Sequence, residues 1–396
     1  MKTGPIFATT CATAALAAVA SLAAVAAKAP AGRSEPRLPE YKVLRPISYK
    51  NLTIFPVAVA GEEDQKSLAS RYITLDEGLK TGVVEIREMG GDTDDDGTPL
   101  QRDRPYRGIG GGASGGVGLQ VQQYQQRQYV QAGAEVNRLA LYNRSGKKLL
   151  LLAGEMVVGG RQDRIVQKDT LVPSGPKPLP LAVFCVEHGR WTAESTNFGN
   201  QIAGGGGGFG GGMADPAVRG VAQTKADQGE VWGAVARRGQ TLGGESSTGT
   251  YQKIVAGPKA IKDAGEYMKA FEGKILREGV VGAVVAVNGK LVWADVFSSQ
   301  TDFFERYWPK LLRSYALDAI ATPPVATGYD RELWQDPTQS EASAFLSDRL
   351  GKATFEGQED VYKLRRTEAA DYVIYDIEDI SLDPAVLLHT CKMTKR

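Results

Sequence analysis

The chain has 396 residues, 42% of them hydrophobic, with 47 Lys and Arg against 46 Asp and Glu. That length buries a large core, as one big domain or two ordinary ones. A balanced charge without runs of like sign excludes the basic footprint of a nucleic-acid binder.

At the N-terminus, Lys2 precedes an uncharged, alanine-rich run from Ile6 to Ala27 that ends in small residues. Residues 1–27 therefore read as a secretory signal peptide, and the same run left uncleaved would be a membrane anchor. Residues 28–40, rich in proline and charge, read as a disordered tether. No other long apolar run follows, so the mature chain is expected to be exported, periplasmic or secreted, without a membrane span. Its only cysteines are then Cys185 and Cys391, open either to a disulfide or to burial as free thiols.

Tyr41 to Tyr72 predicts two or three short strands carrying Leu52, Ile54, Val57 and Val59. Thr74, with Glu77 three residues on, forms a capping box for a helix over Leu75–Lys80, and Gly82 stops it. Val83–Arg87 is rich in β-branched residues and reads as a strand. Asp92, Asp94 and Asp96, followed by Gly97 and Asp103, match the spacing of a calcium loop, in which alternate carboxylates converge on one hard cation. The flanks do not read as EF-hand helices, so a solvated acidic loop is the competing reading. The glycine tracts 108–118 and 204–212 lack the Gly-Lys-Ser/Thr ending of a phosphate loop and read as flexible loops.

Val136–Asn143 and Leu149–Leu152 read as strands joined by the Asn143–Gly146 turn, and Leu179–Val186 as a third. In the third run both pleat faces are apolar, which predicts burial on both sides. Polar groups follow these strands at once: Gly154-Glu155 and Arg161-Gln162-Asp163-Arg164 after the second, Glu187-His188-Gly189-Arg190-Trp191 after the third. Charges at the ends of buried strands must be paired, hydrogen-bonded or reserved for a ligand.

Beyond the block, Asp215-Pro216 opens a helix and Gln228–Arg237 a second. Ile261, Ala264, Met268, Phe271 and Ile275 make Lys259–Glu278 an amphipathic helix. Val280–Val287 and Lys290–Phe297 form a hairpin across Asn288-Gly289. Thr301–Ile320 is a helix whose aromatic stripe is core packing, and Pro323-Pro324 marks a boundary. The tail from Ala321 to Arg396 carries strands at Val361–Arg366, Tyr372–Ile377 and Val386–Lys392, read as a small appended antiparallel sheet. The expected fold is α+β: a β-rich N-terminal body, sandwich or barrel-like, then helices packed with a hairpin, then the small C-terminal sheet.

The block Gly154-Glu155, Gly159–Arg164, Cys185–Trp191, Gln228–Trp232 and Val287-Asn288-Gly289 resembles the ADP-ribosylglycohydrolase- and rhodanese-phosphatase-associated (ARPP-type) family, over roughly Pro46 to Ile320. His188 departs from the glutamine associated with that position. The family name implies a link to NAD or ADP-ribose metabolism and identifies no catalytic residue.

From the residues themselves, Glu155, Gln162, Arg164, Glu187, Arg190 and Trp191 are the candidate binders of a small, anionic, phosphorylated or nucleotide-like ligand. Arginine supplies planar paired donors, the glutamates accept hydroxyl protons or act as acid and base, and Trp191 stacks a ring. The competing reading makes Arg164 or Arg190 an architectural partner of Glu155 or Glu187. Two further chemistries are open to these residue types: Cys185 with His188 as nucleophile and base, or zinc held by Cys185, His188, His389 and Cys391. No serine-hydrolase elbow is present. The expected function is thus an exported small-ligand-binding domain, possessing hydrolase-type activity in one version, against a non-catalytic envelope scaffold; beyond calcium at the Asp92–Asp103 loop, no cofactor is specified.

Overall fold

The fold is seen in a computed structural model that describes residues 39–59, 71–89, 137–187, 189, 195, 197–199, 212–244, 249–324 and 334–395. Residues 1–38, the Asp92–Asp103 loop with Asp92, Asp94, Asp96 and Asp103, tract 108–118, residues 204–211, His188, Arg190 and Trp191 lie outside the described residues.

In chain order the strands are β1 (Tyr41–Val43), β2 (Ile47–Tyr49), β3 (Leu52–Val59), β4 (Tyr72–Thr74), β5 (Val84–Glu88), β6 (Arg138–Asn143), β7 (Lys148–Leu151), β8 (Met156–Gly159), β9 (Arg164–Val166), β10 (Thr170–Val172), β11 (Leu179–Cys185) and β12 (Phe198–Gly199). Then come β13 (Val280–Val287), β14 (Lys290–Phe297), β15 (Lys352–Gln358), β16 (Tyr362–Glu368), β17 (Tyr372–Asp379) and β18 (Val386–Thr394). The helices are α1 (Leu75–Thr81), α2 (Pro216–Lys225), α3 (Gln228–Leu242), α4 (Tyr251–Val255), α5 (Pro258–Phe271), α6 (Glu305–Ala321, entered by a π-turn at Gln300–Phe304) and α7 (Gln339–Ser347).

The α+β expectation is met. In the N-terminal body, β12-β8-β9-β11-β6-β5 form one sheet, and a bridge between Arg87 and Asn197 joins its two edges. The sheet thereby nearly closes into a barrel. Because side chains alternate along a strand, every second residue points inward: Ile86, Leu139, Leu141, Val157, Val166, Leu181, Val183 and Phe198 form the interior with Leu75 of α1. The capping box at Thr74 and left-handed Gly82 set the limits of α1 where the sequence places them. A short sheet, β10-β7-β4, completes the body.

Strand β11 corrects one expectation. Its first half pairs with β6 and leaves Pro180 exposed, so only Val183–Val186 are buried on both faces. There Val183 enters the barrel core, while Phe184 and Val186 pack into the larger core shared with the helices. Helix α5 also stops earlier than its periodicity suggests, at Phe271, where Glu272 turns extended and Gly273 takes a φ of +66°. Ile275 still reaches the core from the loop.

The second sheet runs β1-β3-β13-β14-β18-β17-β16-β15, with β2 beside β3. Asn288 and Gly289 both hold positive φ in the β13–β14 hairpin, as the dipeptide predicts. The C-terminal antiparallel strands continue this sheet: β18 lies between β14 and β17. Helices α2 to α6 pack with the sheet's inner face in the main core, while Ala342 and Leu346 of α7 pack against its outer face. Both α7 and β15 are additions to the sequence reading, and the Thr338–Glu341 capping box was the available signal for α7.

One buried ionic cluster ties the layers together. Asp295 of β14 accepts two bonds from Arg219 of α2 (3.1 and 3.2 Å), one from Trp293 (2.9 Å), and one from Tyr315 of α6. His389 of β18 contacts Asp295 through Nε2 at 3.1 Å and Asp169, in the β9–β10 loop of the body, through Nδ1 at 2.6 Å. Arg219 also donates to the Ala153 carbonyl of the body. Burial opposes charge on His389, but the flanking Asp169 and Asp295 carboxylates more than offset it and raise its pKa to about 9. Burial likewise opposes charge on Asp295, and Arg219 and His389 hold it well below the usual carboxylate range.

A pH signature follows. The raised pKa of His389 contributes stability that is complete below the unfolded value near 6.5 and disappears as pH climbs through about 9. Urea unfolding should show wild type losing about 1.4 kcal/mol per pH unit across that window, relative to His389→Gln at the same pH. A constant difference between the two proteins would show that His389 is neutral in the fold.

Candidate functional site at one end of the barrel

The β8–β9 hairpin separates the motif into two places. Its register sets Met156 opposite Ile165 and Val157 opposite Arg164, so Glu155 lies at the base while Gln162 to Arg164 lie at the turn. Four strand residues intervene, or about 13 Å.

At the base, Glu155 is buried and fully used. One carboxylate oxygen accepts the Leu152 N–H at 2.7 Å, and the other accepts Lys310 of α6 at 2.5 Å. Lys310 also bonds Asp76 in the first turn of α1 at 3.2 Å. Burial opposes charge on Lys310, but Glu155 and Asp76 more than offset it and raise its pKa. The cation of Glu155 is thus Lys310 rather than Arg164, and this part of the motif joins body to helix. Gly154 beside it is required by geometry: its φ is +84°, and an added Cβ would lie 2.2 Å from Cγ of Arg219.

At the turn, Asp163 is the organiser. Its carboxylate accepts the Gly159 N–H at 3.1 Å and the Thr250 hydroxyl at 2.7 Å. Its own N–H donates to Glu187 at 3.2 Å, and its carbonyl accepts the Val186 N–H. Glu187 thereby fastens the end of β11 to the turn. Gly160 (φ +52°) permits a close pass, since a Cβ there would lie 2.2 Å from the Phe198 ring. Glu88, at the end of β5, accepts the Arg161 N–H at 2.9 Å.

Arg164 lies opposite both Val157 and Cys185, two residues before Val166. Val157 and Val166 belong to the barrel interior, so strand alternation puts Arg164 and Cys185 on the interior face at this end. Arg164 is only 2% exposed. One hydrogen bond is made, from Nη1 to the Gln162 carbonyl at 2.6 Å, and the Glu88 carboxylate stands off at 3.8 Å. Its Nε has no partner. Gln162 is fully buried, and neither its amide oxygen nor its amide nitrogen has a partner. Buried polar groups are ordinarily satisfied, and three neighbouring atoms here are not.

The structure therefore brings together Gln162, Arg164 and Glu187, and places Glu155 apart from them. Glu88, Asp163 and Thr250 are partners that the sequence reading did not include in the site. Asp163 was visible inside the Gly159–Arg164 motif, whereas Glu88 and Thr250 are distant in sequence and carried no signal. Burial raises the Cys185 thiol to about 11 against a partial offset from Arg164, so the group is protonated and unsuited to attack at neutral pH. Cys185 and Cys391 are both free and buried. The zinc reading meets a different use of His389, whose two ring nitrogens are taken by carboxylates. Among the described residues no group of three or more His, Cys, Asp or Glu side chains is arranged to hold a metal.

Gln228, in the Gln228–Trp232 motif, has a structural task. Its amide donates to the Cys185 carbonyl at 2.8 Å and accepts the Cys185 N–H at 2.9 Å, extending the ladder from β11 onto the start of α3.

Fold and site define an α+β protein whose nearly closed barrel carries a buried polar turn at one end. The sequence model of the ARG and Rhodanese-Phosphatase-superfamily-associated Protein domain (ARPP-1) matches residues 40–376, and the chain belongs to that family. The match runs past Ile320 through β15 and β16 into β17. No curated protein and no solved structure matches the chain. No helix among the described residues is long and apolar enough to cross a membrane.

Removing the cation at the base tests its architectural role. Lys310→Met leaves Glu155 buried without its cation and should cost about 3–5 kcal/mol in denaturant unfolding. Combining it with Glu155→Gln should restore most of that loss, because the amide oxygen still accepts the Leu152 N–H. If the double variant is as unstable as the single one, the pair is not what Lys310 contributes.

Proposed function

We propose that this protein is an exported domain that binds a small anionic ligand at the barrel end formed by Gln162, Arg164 and Glu187. The observation that carries the proposal is the Arg164–Gln162 pair: a buried guanidinium with one short hydrogen bond, beside a buried amide with none. Together they offer three unused N–H donors and one acceptor, a set suited to carboxylate or phosphate oxygens. The end of a small barrel is also a common place for a ligand of that size. Export is supported by the uncharged run from Ile6 to Ala27 behind Lys2. The arrangement favours binding over acid–base catalysis: Glu155 is committed to Lys310, and Glu187 accepts a backbone N–H.

The second reading, a non-catalytic envelope scaffold, draws support from the Glu155–Lys310 pair, which commits one motif charge to joining body and helix, and from the Asp295 cluster, which shows buried charges used as joints between layers.

Thermal-shift measurements separate the two. The panel is inorganic phosphate, small carboxylates, sugar phosphates, nucleotides and ADP-ribose, with calcium included for the Asp92–Asp103 loop. A ligand at a hundred times its dissociation constant adds about 2.7 kcal/mol and moves the midpoint by a few degrees. Replacing an unbonded buried amide by an apolar side chain of similar size is close to neutral, so Gln162→Leu should stay folded and lose the shift. Arg164→Lys should weaken it by removing the guanidinium fork. No shift with any anion, or a shift untouched by both substitutions, would leave the scaffold reading standing.

A further inference from the structure

Strand β15 is an edge strand, hydrogen-bonded to β16 on one side and to no other strand among the described residues. All of its seven residues but Ala353 are exposed, so the strand covers little core. Phe355 is 45% exposed, and Leu350 just before the strand is 80% exposed; with Leu276 they are the large exposed apolar side chains of the described residues. Long exposed edges carrying apolar groups are templates for another strand, and the opposite edge is only the three-residue β1, against which α7 packs.

The sequence of this edge is self-complementary. Residues 351–357 read Gly-Lys-Ala-Thr-Phe-Glu-Gly, and Thr354 is their midpoint. An antiparallel two-fold axis through Thr354 sets Lys352 opposite Glu356 of a second copy, twice over. It sets the small Ala353 opposite the large Phe355, which leaves room for the ring, and Thr354 opposite itself, a favourable kind of cross-strand pair. The two Phe355 rings become diagonal neighbours on one face, where each shields the other. The flanking glycines also coincide under this operation. Gly351 and Gly357 hold φ of +151° and +149°, and a Cβ on either would collide with the carbonyl of Glu368 or Tyr362. Gly351, just before the strand, and Gly357, within it, thus lie at equal distances from Thr354. Both faces of such a contact are the same patch, as a closed dimer requires.

We infer that the chain self-associates through β15, two copies pairing antiparallel about Thr354 to join their sheets edge to edge. Five residues per copy make a small contact, so the dimer is weak and concentration-dependent. Glu356 already meets Lys168 of its own chain in an exposed pair, which contributes little and leaves the carboxylate free to share.

Sedimentation velocity over a concentration series, on the purified chain and its charge variants, tests this. Wild type should move from monomer towards dimer as concentration rises. Lys352→Glu or Glu356→Lys alone converts two attractive pairs into two repulsive ones and should raise the dimer dissociation constant about tenfold or more. The double exchange, Lys352→Glu with Glu356→Lys, should restore association, which a merely misfolded edge would not. Wild type that stays monomeric at the highest concentration overturns the inference, as do single variants that associate like wild type. Association lost in the singles and not regained in the double overturns the register about Thr354.

Discussion

The structure depends on the carboxylate of Asp295, buried where barrel, helices and the large sheet meet. An isolated charge there would be prohibitively costly to desolvate, so its partners must arrive together. They come from every layer: Arg219 from α2, Tyr315 from α6, His389 from β18, with Asp169 and the Ala153 carbonyl from the body completing the cluster. This explains why the C-terminal strands belong inside the sheet. Only β18 beside β14 delivers the His389 ring to Asp295 and Asp169 at once.

The same rule of mutual compensation recurs nearby. Asp215 caps α2, accepts Arg238 at 2.8 Å and Tyr251 at 2.8 Å, and Arg238 goes on to Asp318 of α6. Glu155, Lys310 and Asp76 make a third cluster. Against this background the barrel end differs, since Arg164 makes one hydrogen bond, to the Gln162 carbonyl, and the Glu88 carboxylate stands 3.8 Å away. Arg164 and Gln162 are as buried as any of these groups, yet three of their polar atoms have no partner. Unpartnered buried atoms also occur on the Gln223 amide and on Nε of Arg365, so what sets the barrel end apart is that Gln162 and Arg164 lie together there, and the ligand proposal rests on that pairing.

Much of the local structure was legible from residue order. The Thr74 capping box, the Asp215-Pro216 start, the Asn288-Gly289 hairpin and the strands of the tail all depend on interactions within a few residues. Less legible were β8, β9 and β10, each of three or four residues, and β15, which lacks apolar alternation because it covers no core. The candidate site was legible in part. The Gly159–Arg164 and Glu187 segments do converge, but Glu155, only a strand's length from Gln162 in sequence, faces Lys310.

What the sequence determined by itself, then, was the α+β class, the family and the stretch that carries its polar signature, because periodicity, caps, turns and motifs are written in neighbouring residues. Only the tertiary structure decided which charge meets which. Lys310 reaches Glu155, and His389 reaches Asp169, across separations that no spacing rule spans. Those choices follow from how a nearly closed barrel seats against a nine-stranded sheet, and burial of both partners makes each choice binding.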